Sequence, residues 1–518
     1  MPTSLTASSI FRLLALSALA MSYGWGFRGD YGHEAGAMFP GAFLALAILL
    51  ASGREDWQRR ITLVAFAAAM GWAFGGSVSY GKVVGYTAHS SVPDVAYGFA
   101  SLFIIGAMWG GIGAGCLGLA LTMKRSWLNS WAGPLMILYL VWTLLDFSGA
   151  TAWLEEKYIP KDADGVAALS ALMVGLGCLT FKAWRAAGEL MTCLSSGWCA
   201  GFIKLVVVFD LHMTPPRGDN WAGILGLTIA FAGWLVVKGN RATLYLFLIG
   251  LLAGGYGFAL GDGLNMMGRA GWGFFGELAT QNHLDVWKWM EQGFGLIMGL
   301  GVALGILRLV RGRLRPPEED ARAGVIQLVG LLFLLIVMPW LNFFKNVRNL
   351  GSSKMIGAPL FGWPEEMWYL LIGCGLAIML FIACVQYYRK ELALAPSRPH
   401  GRAQLLLLFL MWISVFAAFL QAYPHMNRPG TLWVHVTFWI TAIIVSIMTM
   451  LQPKPSPVIE TKDTLAYSDT YWRPGLVFWV LVILIPFVIA GLTYGITGMH
   501  AHPLPGSHLR FEKPAWKD

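Results

Sequence analysis

The chain has 518 residues, of which 57% are hydrophobic and only 13% charged, too apolar for a soluble globular protein, where about a quarter of residues carry charge. Its formal charge of +9 is spread over short loops between apolar runs, which excludes a nucleic-acid surface as its explanation. A lipid bilayer is the solvent that this composition fits.

About fifteen apolar runs of roughly 18 to 25 residues follow one another, each long enough to cross the hydrocarbon. They lie near 10–27, 36–52, 61–80, 97–122, 130–146, 166–184, 190–209, 220–237, 243–260, 288–307, 323–342, 366–388, 403–422, 431–451 and 474–498. In lipid such runs must be helices, because an open strand edge leaves backbone groups without partners. The expected fold is therefore an all-α polytopic integral membrane protein with about 15 transmembrane helices. The first run carries one basic residue, Arg12, and no convincing small-residue cleavage site before Gly24, so it is read as a retained anchor and not a secretory signal.

Every second loop is basic: Arg54, Arg59 and Arg60; Lys124 and Arg125; Lys182 and Arg185; Lys238 and Arg241; Arg308, Arg311, Arg313, Arg315 and Arg322; Arg389, Lys390, Arg398 and Arg402. Basic residues in short loops stay on the cytoplasmic side. The amino terminus is thus expected in the cytoplasm and the carboxyl terminus outside, with a bacterial inner membrane as the expected location. The loops with distinctive polar patterns, 28–35, 81–96, 146–165, 210–220, 261–287, 343–365 and 423–430, then all face outward.

One pattern occurs three times at the outward end of an apolar run: Gly24-Trp25-Gly26-Phe27, Gly71-Trp72-Ala73-Phe74 and Gly255-Tyr256-Gly257-Phe258. The stretch from Thr62 to Gly81 aligns with Thr243 to Gly263, and the next run carries Gly111-Ile112-Gly113 in one copy and Gly299-Leu300-Gly301 in the other. Asp210 to Arg217, with Trp221, is echoed by Tyr423 to Pro429, with Trp433. These matches predict a tandem duplication, 61–241 and 242–452, of six helices each. An even helix count makes the two repeats parallel. An extra hairpin, 1–60, precedes them. A cytoplasmic linker, 453–472, and a final helix with an external tail, 473–518, follow. The six-plus-six plan resembles the major facilitator architecture in outline, without that architecture's basic-and-acidic signature in 123–130.

Most of the glycines, such as Gly106, Gly110, Gly299 and Gly305, match the small-residue spacing that lets membrane helices approach closely. Those around the aromatic motif are dense enough to suggest unwound backbone able to contact a ligand. Six cysteines, Cys116, Cys178, Cys193, Cys199, Cys374 and Cys384, all fall in predicted helices and read as packing residues. Many of the 24 tryptophans, Trp153, Trp272, Trp287 and Trp433 among them, fall near helix ends, as an interfacial belt requires.

Candidate functional residues come from three constellations. Arg28, Asp30, His33 and Glu34 crowd a short hairpin, where a histidine flanked by carboxylates suits proton coupling or acid–base work; Glu291 before Gly293 mirrors Glu34 before Gly36. Asp210, His212, Arg217 and Asp219 sit in a proline-interrupted turn echoed by His425 and Arg428. Asp262, Asn265, Arg269 and Glu277 line the longest repeated hairpin. Trp25, Trp72 and Tyr256 offer an aromatic platform, and the arginines suit an anionic group through paired hydrogen bonds. The bland reading of each charge is a helix cap or a snorkelling side chain. No HExxH or Cys/His cluster points to a metal and no GxxxxGK[ST] to ATP hydrolysis, so no cofactor is expected. Partners are the lipid bilayer and a small-molecule solute. The favoured function is a transporter for a small polar or anionic organic solute, coupled to protons or another ion. The alternative is a membrane enzyme with an outward active site, such as a glycosyl or acyl transferase using a lipid-linked donor, with Asp30 or Glu34 as general base.

Overall fold

A computed structural model describes residues 6–29, 31–157, 164–215, 220–318, 325–344, 360–389, 399–457 and 460–511. Among them every regular element is helical, and pairing between extended segments is limited to isolated bridges. Thirteen of the helices are long and apolar enough to cross a bilayer, or fourteen if one bent pair counts as a single span. The chain is a polytopic membrane protein.

The main helices are α1 (Ala7–Arg28), α2 (Glu34–Ala51), α3 (Ile61–Gly76), α4 (Gly81–Thr87), α5 (Val92–Thr122), α6 (Ala132–Phe147), α7 (Gly165–Leu179) and α8 (Arg185–Phe202). They continue with α9 (Asn220–Val237), α10 (Arg241–Arg269), α11 (Val286–Arg311), α12 (Val325–Leu332), α13 (Glu365–Arg389), α14 (Pro399–Ala422), α15 (Pro429–Met450) and α16 (Leu476–Met499). Their starts carry ordinary signals: Thr6 and Asn240 accept from Ser9 N and Thr243 N as N-caps, and proline opens α5 and α15. At 15 residues α7 is apolar but shorter than those thirteen spans. The bent pair is α3 and α4, which meet at 58° across residues 77–80. The run Gly75-Gly76-Ser77 has weak helix propensity and lets the chain turn there.

Six helices close into a ring in the order α1, α2, α3, α5, α10, α11 and back to α1. Small residues make each seam. Gly24 of α1 faces the backbone of Pro40 in α2, Gly41 of α2 faces Ala68 of α3, and Gly75 of α3 faces Trp109 of α5. The α5–α10 seam is the closest, with Gly106 and Gly110 against the carbonyls of Gly254 and Gly250. Gly261 of α10 then meets Phe294 of α11, and Gly295 and Gly299 of α11 meet Met21 and Ser17 of α1. Lipid supplies no hydrophobic drive between helices, so this backbone proximity and its dispersion contacts hold the ring. The ring consists of three hairpins, and each copy of the repeated aromatic motif lies on the first helix of one of them.

One end of the ring bears Arg28 and the other bears Arg54 and Arg60. At the second end Arg60, fully buried, donates to the carbonyls of Ala120 and Met123 and so caps α5, while Arg54 donates to Leu314 O. The linker after α15 is stitched to this same end: Arg315 N donates to Leu465 O, and Ala242 N to Tyr467 O. Outside the ring α6 to α9 form one flank and α12 to α15 another. Helix α16 lies against α5 and α10, and most of its surface is exposed. The segment after it returns over the Arg28 end, where Leu504 N and His508 N donate to Ala88 O and Gly85 O of the α4 region.

Candidate functional site

Arg28 is the last residue of α1 and is 2% exposed, although it is one of the longest charged side chains in the chain. Its Nη1 donates to Glu291 Oε1 of α11 at 3.1 Å and to the hydroxyl of Tyr80, which lies in the break before α4. Tyr80 donates its own proton to the same Glu291 oxygen at 2.6 Å, and Trp287 Nε1 approaches that oxygen at 3.3 Å. Arg28 Nη2 can only donate, so the nitrogen it meets, His33 Nδ1, is the acceptor. The ring proton of His33 is then on Nε2, 3.4 Å from the exposed Ser79 hydroxyl. Lys288, one turn before Glu291, lies 4.0 Å from Glu291 Oε2 and donates to Gly26 O.

Aromatic faces complete the enclosure. The guanidinium carbon of Arg28 stands 5.5 Å from the ring centre of Trp25 and 5.1 Å from those of Tyr80 and Trp109, each within cation–π range. Beneath it Trp25 packs on Trp109, Phe258 and Phe294, with the two phenylalanines stacked at 4.2 Å. Deeper still, Trp72 Nε1 reaches Met298 Sδ at 3.2 Å. An ion pair thus sits over an aromatic floor, inside a ring of membrane helices. Among the described residues, two buried donors in this box have no acceptor: Arg28 Nε and Trp25 Nε1.

A second polar cluster lies one turn along α10 from Phe258. Asp262, fully buried, accepts from Thr87 Oγ1 at 2.6 Å and from Asn265 Nδ2 at 3.1 Å. Helix α4 links the two clusters, since Tyr80 precedes it and Thr87 ends it.

The remaining sequence candidates are scattered. Glu34 is exposed at the first residue of α2. Its charge adds to burial in pushing Asp164, in the segment before α7, up to about 6, burial being the larger cause. Asp210 and His212 form a surface pair at 2.8 Å. Arg269 is drawn to the carbonyl of Pro505. Arg428 lines an open cavity of about 400 Å³ with His283, Asp285 and Thr431, whereas His425 is in the short turn before it. Tyr256 points out of the ring, its hydroxyl donating to Leu481 O of α16, and Phe258 takes the inward position in that copy of the motif. Asp30, Arg217 and Asp219 lie outside the described residues. Among the described residues no three His, Cys, Asp or Glu side chains converge as a metal site requires.

The structure therefore joins Arg28, His33, Glu291 and Trp25 in one site and adds Tyr80, Trp109, Trp287 and Lys288, which sequence reasoning did not single out. Trp287 and Lys288 carried a signal, because they precede Glu291 by four and three residues and share its helix face. Tyr80 carried none beyond the broken helix around it. Comparison of the chain with protein-family models, with characterised proteins and with solved structures finds no match.

Proposed function

We propose that the protein is a transporter for a small polar or anionic organic solute, coupled to protons, with the Arg28–Glu291 site at its centre. The observation that carries this reading is the ion pair itself. Two charges at 3% and 1% side-chain exposure inside a helix ring cost several kcal/mol each to desolvate, and intramembrane charges of this kind mark solute and proton pathways. His33 extends the site from the buried pair to the exposed Ser79, as a proton path requires. In this reading the Arg28 end is the exterior and both the amino terminus and the basic loops are cytoplasmic. The tandem halves each supply one ring hairpin and four flanking helices, and the aromatic floor is the closed gate of an occluded state.

The test is uptake by purified protein in liposomes, across a panel of sugars, amino acids, polyols and organic anions, with and without an imposed pH gradient. Accumulation of a panel member that follows the pH gradient and is lost in Arg28→Ala is the expected result. A second reading is a membrane enzyme with its active site at the Arg28 end. It is favoured by the gathering of the buried polar cluster at that end, above a ring closed by Trp72 and Met298, with the exposed Glu34 as general base. Turnover of a lipid-linked donor in detergent with no gradient, and no uptake of any panel member, would replace the first reading by the second.

A further inference from the structure

The contacts of Arg28 specify more than a transporter of polar solutes. Arg28 offers five N–H donors in a fixed plane, a geometry suited to gripping a carboxylate by two parallel bonds. Glu291 takes only one of them, through a single oxygen that Tyr80 and Trp287 also contact. Among the described residues Arg28 Nε has no acceptor, nor has Trp25 Nε1 one turn earlier on the same helix. Both side chains are at least nine-tenths buried, where a donor without a partner is costly. The site thus has two unused donors, Arg28 Nε and the indole Nε1 of Trp25, whose ring centre lies 5.5 Å from the guanidinium carbon.

We propose that these donors receive the carboxylate of a singly charged organic solute, which takes over Arg28 from Glu291 while Glu291 gains one proton. This inference rests on the transport reading and names its substrate class. The exchange balances: a solute carboxylate and a proton meet the Arg28–Glu291 ion pair and leave an Arg28–solute ion pair with a neutral Glu291 carboxylic acid. No covalent bond is made or broken except the O–H bond on Glu291. Charge conservation forces the coupling, because a buried arginine cannot be left without a counter-ion and two carboxylates cannot share this enclosure ionised. The charged and titratable groups facing Glu291 are Arg28 from α1, Tyr80 from the break before α4, and Lys288 on its own helix; His33, at the start of α2, faces Arg28. His33, bonded to Arg28 at one nitrogen and near Ser79 at the other, lies where the proton arrives from water.

The experiment uses matched solutes that differ in the carboxylate: gluconate against glucose, and lactate against glycerol. Full-length protein is placed in liposomes containing a pH-reporting dye, and label uptake and lumenal pH are followed together. The acid of at least one pair should enter with about one proton per carboxylate, and its neutral counterpart should not. Trp25→Phe keeps an aromatic ring in the floor but removes one donor; it should raise the half-saturating carboxylate concentration by about tenfold at an unchanged proton ratio. Glu291→Gln should sever proton movement from solute binding. Carboxylate uptake without protons would overturn the proposal and, with it, the proton coupling of the transport reading. Equal uptake of the neutral counterpart, or a Trp25→Phe protein with unchanged half-saturation, would overturn the proposal and leave the transport reading standing. Uptake confined to another class in the wider panel would do the same, whereas no uptake of any solute would overturn both.

Discussion

Replacing Glu291 by alanine leaves a guanidinium in a nearly dry enclosure with no carboxylate to face. At 3.1 Å and an effective dielectric constant of about 20, the pair attraction is about 5 kcal/mol. Burial of both side chains keeps salt from screening it. The aromatic faces around Arg28 return about 0.5 to 2 kcal/mol each, and they are already engaged in the native protein, so they do not replace the lost carboxylate. Glu291→Ala is therefore expected to cost about 3 to 5 kcal/mol, as is Arg28→Ala. The double variant Arg28→Leu with Glu291→Leu removes both desolvation penalties and should fall within about 1 to 2 kcal/mol of the native protein. Denaturant unfolding in lipid–detergent micelles, run as a double-mutant cycle, measures the coupling. A loss under about 1 kcal/mol for Glu291→Ala, or a double variant as destabilised as the sum of the singles, would refute the account of a mutually dependent buried pair.

Two further outcomes follow from groups at the Arg28 end. Asp164 is held protonated to about pH 6, against an ordinary value of 3.8. The native state therefore binds more protons than the unfolded state between those limits, and stability falls as pH rises through that window, by at most about 3 kcal/mol. Asp164→Asn should thus raise the melting temperature at pH 8 and change it little at pH 4; equal gains at both would dismiss the assignment. Asp94, fully buried, accepts the backbone N–H groups of Arg510 and Phe511 at 2.6 and 3.1 Å, and bonds to a charged acceptor contribute about 1.5 to 3 kcal/mol each. Asp94→Ala should speed hydrogen exchange in 504–511 by at least about tenfold, and unchanged protection there would show that the segment is held by other contacts.

The fold class was legible because the bilayer imposes it: apolar runs of spanning length have one structural solution. Close packing through Gly106, Gly110, Gly250 and Gly254 was legible in kind, since small residues at helical spacing have few other uses in lipid. Which helices meet was not legible. The pairing of α5 with α10 joins residues about 144 positions apart, and nothing in either run names the other. Arg28 was singled out in the crowded first hairpin and Glu291 for mirroring Glu34 before a glycine, yet their partnership spans 263 positions and depends on how α1 and α11 rotate in the ring.

The repeated aromatic motif shows how far a local pattern reaches. Its three copies lie on the leading helices of the three ring hairpins. Equivalent position along a helix does not fix the direction of a side chain, however, because each residue turns the helix by about 100° and a small axial rotation decides what faces inward. In the first two copies the residue after the opening glycine, Trp25 or Trp72, enters the ring. In the third, Tyr256 faces Phe103 and α16, and Phe258 enters two residues later. A tyrosine hydroxyl buried among Trp25, Trp109 and Phe294 would need an acceptor that this floor lacks, and turned outward it finds one in Leu481 O. The polar tip thus accounts physically for the difference among the copies: indoles and a phenyl ring close the interior under Arg28, and the phenol is spent on anchoring α16.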